Sequence, residues 1–428
     1  MSNEHNAHTH TPSHTPTHAH ANPFAETSFP ADRRALIAGI GGLAAGALLL
    51  SARSAHAGPL TPPAGPVTGT YKTLAEVEPR TAISVINTPG TAISLFKITQ
   101  PGSYYLTNNI TGVVGKHGIE IAASGVTLDL MGFEMLGIAG SLDGISAIGL
   151  SVVNVTVRNG SIRAWGGDGI DLTATSSSTC AVTDVIASDN AAVGISVPFI
   201  STITNCIAEG NGSHGLRCLT AGIITSCVMR GNANNGMFVD SNCVITGCSA
   251  NNNGSDGIQA GGGCTITGCS ASENTGNGIV QNTAGTINNC AANDNNAGGI
   301  RTNDGCIIVN CTARFNTLDG IYVTDTCIVQ SNTCSFNGNA GVGAGIRVFG
   351  TDNRIEGNNC YNADRGIQVD VAGNFIARNT CSNNTINWQI AIGNVCLVVL
   401  ATPTAAVIFG DSGGLSPGST NPNANFTY

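Results

Sequence analysis

Residues 257–300 read GIQAGGGCTITGCSASENTGNGIVQNTAGTINNCAANDNNAGGI, and the fold is decided by what recurs in them. Gly257-Ile258, Gly278-Ile279 and Gly299-Ile300 lie 21 residues apart, in phase with Asn274 and Asn295 and with Cys269 and Cys290. Outward from this stretch the Gly-Ile series runs through Gly194-Ile195, Gly215-Leu216, Gly236-Met237 and Gly320-Ile321. Looser intervals add Gly118, Gly144 and Gly169 upstream and Gly345 and Gly366 downstream. An asparagine column runs from Asn190 to Asn337, and cysteines recur from Cys206 to Cys311. A second, broken cysteine column comprises Cys243, Cys264, Cys306 and Cys327, with Gly285 in the gap. A fixed period of this length marks a solenoid, whose repeats must stack to bury their apolar faces.

One period, residues 299–319, gives the shape of the repeat. Ile300 and Thr302 flank Arg301, Cys306 and Ile308 flank Ile307, and Cys311 and Ala313 flank Thr312. These are three short period-2 strands with small or β-branched inward residues. Asn303-Asp304-Gly305 and Asn316 to Asp319 supply turn chemistry between them. No apolar set recurs at the helical period, and Gly and Asn are frequent throughout. The reading is all-β: a single-stranded right-handed parallel β-helix of about 12 coils, roughly 60 Å long, with a cap at each end. The asparagines are expected to take the left-handed turn conformation and to stack their amides. The glycine before each Ile is expected to allow a tight backbone approach. Composition agrees, with 56 glycines and only 5% aromatic and 10% charged residues.

On these columns the chain resembles the right-handed β-helix repeats of the pectate-lyase-like superfamily, over about residues 105–400. Asn332-Thr333-Cys334 and Asn379-Thr380-Cys381 resemble the rungs of carbohydrate-binding and sugar-hydrolase β-helix modules. The resemblance implies the fold and a polysaccharide partner, and it assigns no catalytic residue. Of the polygalacturonase blocks only Ser213-His214-Gly215 is faintly similar, and the Arg-x-Pro-x-x-Arg of pectate lyases and Asp-Pro-His of alginate epimerases are absent.

Residues 1–57 read as a leader. Arg33-Arg34, a mild apolar run to Leu50 and Ala55-His56-Ala57 resemble a twin-arginine export signal, cut before Gly58. The apolar run is short for a membrane span, so no stable span is expected in the mature form. The chain is thus expected outside the cytoplasm. Seven of the 9 histidines fall in this leader. Residues 58–104 read as linker and N-terminal cap, with an amphipathic helix over Thr73–Ala82. Residues 105–400 form the β-helix and 401–428 the C-terminal cover. A net charge of −9 argues against nucleic acid as a partner.

The 16 cysteines would ordinarily suggest disulfides in an exported protein. Side-by-side partners on successive coils make strained bridges, and no C-x₂-C pair offers a zinc site. The ladder cysteines are expected to be buried free thiols acting as small hydrophobic residues.

Chemistry is expected on outward positions. The residue after each Gly-Ile pair forms a column that gathers Arg301, Tyr322 and Arg347, with Asp304 and Asp325 a few residues on. Arginine forks pair with carboxylates and tyrosine offers a stacking face, a combination suited to an acidic polysaccharide. The flanking aspartates suit sugar hydroxyls or calcium; no other cofactor is expected. In the column before each Gly, His214 and Asp256 form an acid/base candidate two coils apart, about 10 Å, against a plain turn role for such residues. Trp165 is either a sugar platform or a lid over the rod's shoulder. Three functions follow in order: a non-catalytic polysaccharide-binding or surface scaffold protein, a polysaccharide lyase or glycoside hydrolase, and a metal-delivery accessory.

Overall fold

The computed structural model describes residues 78–149, 151–173, 178–338, 341–400, 408–410 and 421–428; they belong to one compact unit, Lys72–Tyr428. Residues 1–57, expected to be a leader with an export signal, lie outside the described residues. Those described are all-β, with no helix among them.

Each regular coil carries three strands, as in Ile300–Thr302, Ile307–Val309 and Thr312–Arg314. The Gly-Ile strands stack into a parallel sheet of 15 strands, one for each turn of a right-handed β-helix. The count exceeds the dozen Gly-Ile signals because Ser94–Ile98, Ile386–Ile390 and Ile408–Gly410 lack the pair. The other two strands of each coil belong to one 28-stranded sheet. They merge because Thr156–Arg163 and Ala181–Ser188 run unbroken across both positions. Thr81 and Ala82, expected in a helix, instead form a strand paired with Tyr104 and Tyr105. The tail strand Asn425–Thr427 pairs with Val398–Leu400 and with Thr380 and Cys381.

The interior is a set of columns. Met237, Ile258, Ile279, Ile300 and Ile321 pair rung on rung and are fully buried. Ile203, Ile224, Ile245, Ile266, Ile287 and Ile308 do the same on the opposite wall. In-register stacking of β-branched side chains is the packing a parallel sheet favours.

The asparagine column stacks as expected, for a different reason at the backbone. Each amide nitrogen donates to the next amide oxygen, as from Asn253 to Asn274 (3.0 Å) and Asn274 to Asn295 (3.0 Å). Each also donates to a carbonyl, as Asn274 does to Ala250 (3.0 Å). The left-handed residue is the one before each asparagine: Asn252, Glu273, Asp294, Phe315 and Phe336 have φ from 55° to 57°. The glycine before each Ile has the predicted role. A Cβ on Gly257 would stand 2.6 Å from the Asn274 amide nitrogen and 2.7 Å from the Gly278 carbonyl.

The ladder cysteines are buried free thiols, yet they are more than filler. Cys269 donates its N–H to Cys290 Sγ (3.4 Å), and Cys290 Sγ contacts the Asn288 carbonyl (3.2 Å). Further along, Asn332 takes over this column by accepting the Cys311 N–H (2.8 Å). Burial holds the Cys180 and Cys360 thiols above the usual thiol range. The second column is broken where a neighbour needs the space: a Cβ at Gly285 would lie 2.3 Å from Gln281 Cδ, and at Gly222 2.1 Å from Cys218 Sγ. Ser201 stands in the same column, accepting the Cys180 N–H (3.0 Å) and donating to the Phe199 carbonyl (3.1 Å). A hydroxyl finds the matching partners in the first column too, where Cys290 Sγ stands between the Cys269 N–H and the Asn288 carbonyl. Cys290→Ala should cost about 1 kcal/mol by orphaning the Cys269 N–H, and Cys290→Ser less. Chemical denaturation of the three proteins checks the order; a serine variant weaker than the alanine one contradicts it.

Candidate functional site

Parallel register builds the outward column of the 15-stranded sheet. Val280 pairs with Arg301, Arg301 with Tyr322, Tyr322 with Arg347 and Arg347 with Gln368. Arg301 Cζ lies 5.2 Å from the centre of the Tyr322 ring, within cation–π range. Arg347 Nε pairs with Asp370 Oδ2 at 2.9 Å. Arg301 has no ion-pair partner among the described residues. These three side chains edge a depression of about 210 Å³, completed by Asn277, Leu318 and Asp319.

Asp319 is the residue in this depression that the sequence ranked only as a turn residue. It is buried, and burial raises its carboxyl pKa against the pull of the Ala344 N–H and the nearby Arg347. Its Oδ1 accepts that N–H at 2.8 Å. The signal was present, since Asp319 precedes Gly320, but so do many turn aspartates and asparagines.

Asp304 and Asp325 lie on the far side of the ring. They line a separate depression of about 520 Å³ with Thr324, Thr351 and Phe349. Phe349 stacks on Tyr322 with ring centres 6.1 Å apart, so the two rings form the ridge between the depressions. No repeating column marks Phe349, which lies just past the strand Ala344–Val348. Standing two residues after Arg347, it faces the same way.

His214 and Asp256 stand two coils apart in the stack. Asn235 lies between them in the stack, and the Asp256 Oδ1 is occupied by the Asn277 backbone (2.7 Å) and amide (3.0 Å). Asn235 in turn accepts the Asp256 N–H (3.0 Å). His214 stacks on Phe238 at 5.2 Å, and burial, then Arg217, lowers its pKa. The column before each Gly thus joins turns to one another, as Asp143 also does by accepting the Asp168 N–H (2.8 Å).

Trp165 is not a sugar platform. It is 1% exposed, and its indole N–H donates to the Met135 carbonyl (3.0 Å). Its backbone N–H donates to Asn190 Oδ1 (3.1 Å), so it heads the asparagine ladder from the rung before it. For calcium or another metal, no group of three or more His, Cys, Asp or Glu among the described residues is placed to hold an ion. No helix among them is long and apolar enough to cross a membrane.

The chain belongs to the right-handed β-helix family, whose model matches residues 94–265 and 220–350. Among solved structures it is similar to the Dettilon tailspike protein gp208 (14% identity, 72% of this chain, TM-score 0.38). It spans 61% of that tailspike's own length. It is also similar to the A-module of the mannuronan C-5 epimerase AlgE4 of Azotobacter vinelandii (14% identity, 76% of this chain and 90% of that one, TM-score 0.31). A third is PfbA, a surface adhesin of Streptococcus pneumoniae (9% identity, 67% of this chain and 82% of that one, TM-score 0.34). No curated protein matches by sequence.

Proposed function

We propose that this chain is an exported, non-catalytic polysaccharide-binding or cell-surface scaffold protein, and that Arg301, Tyr322 and Arg347 grip an acidic sugar. The observation that carries the reading is the in-register column of two arginines around a tyrosine ring, edging one depression. Guanidinium groups on either side of an aromatic ring suit a uronate, whose carboxylate takes the forks while its ring lies on the tyrosine. The resemblance of Arg33-Arg34 and the apolar run after it to a twin-arginine signal is what supports export. The net charge of −9 repels a polyanion at long range, so binding is local and weakens with salt.

The test is binding of the mature protein to uronate-rich and neutral glycans before and after Arg301→Ala with Arg347→Ala. The double variant should lose about tenfold or more in uronate affinity, as removal of charge-assisted hydrogen bonds implies. Unchanged affinity, or no glycan bound at all, leaves this face a bare surface.

One observation favours an enzyme as the second reading. Asp319, with its carboxyl pKa raised by burial, shares the depression with both arginines, the setting of a general acid. Product assays for new reducing ends and unsaturated ends on wild type and Asp319→Asn decide between the two. Product from the wild type alone selects the hydrolase or lyase.

A further inference from the structure

The depression beyond the Tyr322–Phe349 ridge has a chemistry of its own. Asp304 Oδ1 accepts the Thr324 hydroxyl (2.6 Å), and Asp325 Oδ1 accepts the Thr351 N–H (2.6 Å). Oδ2 of each carboxylate has no hydrogen bond among the described residues. Its floor is Gly350, where a Cβ would stand 2.3 Å from Asp325 Oδ1. Phe349 is 52% exposed. No Lys, Arg or His lines this side. The two carboxylates repel an anion, and with the Thr324 and Thr351 hydroxyls already donating to them the surface accepts hydrogen bonds from hydroxyl and amide donors. An exposed aromatic ring offers the apolar face that a sugar's C–H groups cover. The depression therefore suits an uncharged sugar, whereas its neighbour across the ridge suits an acidic one.

Direction follows from the two columns. Along the coil stack the arginines end quickly: Gln259 and Val280 precede Arg301, and Gln368 and Gln389 follow Arg347. A uniformly acidic chain laid along the stack would leave most of its carboxylates without a cation. Across the sheet, Arg301 and Asp304 are three residues apart on one coil, Arg301 in the strand Ile300–Thr302 and Asp304 in the turn after it, so their backbones are at most about 10 Å apart. A short stretch of linked sugars crossing the Tyr322–Phe349 ridge would enter both depressions.

We infer that the ligand crosses this face parallel to the strands and is a heteropolysaccharide in which acidic and uncharged sugars alternate. The acidic sugar lies against Arg301, Tyr322 and Arg347, and its uncharged neighbour lies against Asp304, Asp325 and Phe349. The inference rests on the arginine column being a glycan site.

Titration calorimetry of the mature protein tests it with four soluble polymers: hyaluronate and unsulfated chondroitin, which alternate uronate with N-acetylhexosamine, polygalacturonate, which is all uronate, and dextran, which is neutral. At least one alternating polymer should bind about tenfold tighter than polygalacturonate, as added hydrogen bonds to charged acceptors imply. Asp304→Ala should bring it down to the polygalacturonate level and leave polygalacturonate binding unchanged, whereas Phe349→Ala, which also removes the ring stacked on Tyr322, should weaken both. Both side chains stand at the surface, so the coil stack survives their loss. Equal wild-type affinity for polygalacturonate and the alternating polymers overturns the transverse mode while leaving the arginine column intact, and so does indifference to both variants. Failure to bind any polymer overturns both readings together.

Discussion

Asn274→Ala is expected to lower stability by on the order of 4 kcal/mol, the cost of several buried polar groups losing their partners at once. Asn274 is fully buried. Its Oδ1 accepts both the N–H (3.0 Å) and the amide (3.0 Å) of Asn253, and its own amide serves Ala250 and Asn295. Alanine removes acceptor and donor together, and the closed interior offers no replacement. Gly257→Ala should act in the same direction, because its Cβ would press on that amide at 2.6 Å. In a stacked repeat the damage spreads to nearest neighbours. Amide hydrogen exchange should therefore rise most in the coils holding Asn253 and Asn295, and thermal or urea unfolding should reach its midpoint earlier. A loss below about 1 kcal/mol would mean that the amide ladder adds little beyond the aliphatic columns.

The ladder also shows how far the sequence could be read. Period and inward identity are repeated in every coil, so Gly, Ile, Asn and Cys columns are visible without coordinates. The left-handed position is not. It is filled in turn by Gly231, Asn252, Glu273, Asp294, Phe315 and Phe336, so no residue type marks it, although asparagine next door suggested itself. Phenylalanine pays strain in that conformation. Here Phe315 and Phe336 stack at 4.8 Å with Arg314 over both rings, and the contact offsets part of it. The cysteine columns were visible, but their hydrogen bonds were not, because a thiol resembles valine in pattern and asparagine only in place.

The candidate site was legible in part for the same reason. Register made Arg301, Tyr322 and Arg347 neighbours on counting alone. That Asp304 and Asp325 belong to a different depression depends on Phe349, which stands in a turn one residue longer than the one before it, since Val323 pairs with Val348 but Ile328 with Arg354. Trp165 could not be placed from its neighbours, since a coil of 25 residues leaves open which way its indole turns. Only the Met135 carbonyl and the head of the amide ladder decide that it points in.

Replacing Asp168 by asparagine should stabilise the protein at neutral pH. Asp168 Oδ1 accepts the Val193 N–H at 2.8 Å, a bond that Asn235 and Asn277 make with amide oxygens at the same place in later coils (3.0 Å each). The turn therefore needs the oxygen and not the charge. Burial, reinforced by Asp171 and Asp143, pushes the Asp168 carboxyl up to about 6, against about 3.9 in an unfolded chain. Between those values the folded state holds more protons than the unfolded one, so stability falls as pH rises from about 4 to 6 and stays lower above it. The full shift corresponds to roughly 3 kcal/mol, and the half-buried position reduces that to about 2 kcal/mol. Asn keeps the acceptor and removes the charge. The variant should accordingly exceed wild type by about 2 kcal/mol at pH 7 and match it near pH 4, where Asp168 is protonated in the folded protein. Urea unfolding at both pH values measures the difference. An asparagine variant that is weaker at pH 7, or whose advantage persists unchanged at pH 4, would show that the carboxylate itself is needed, with Arg217 as its partner across the coils.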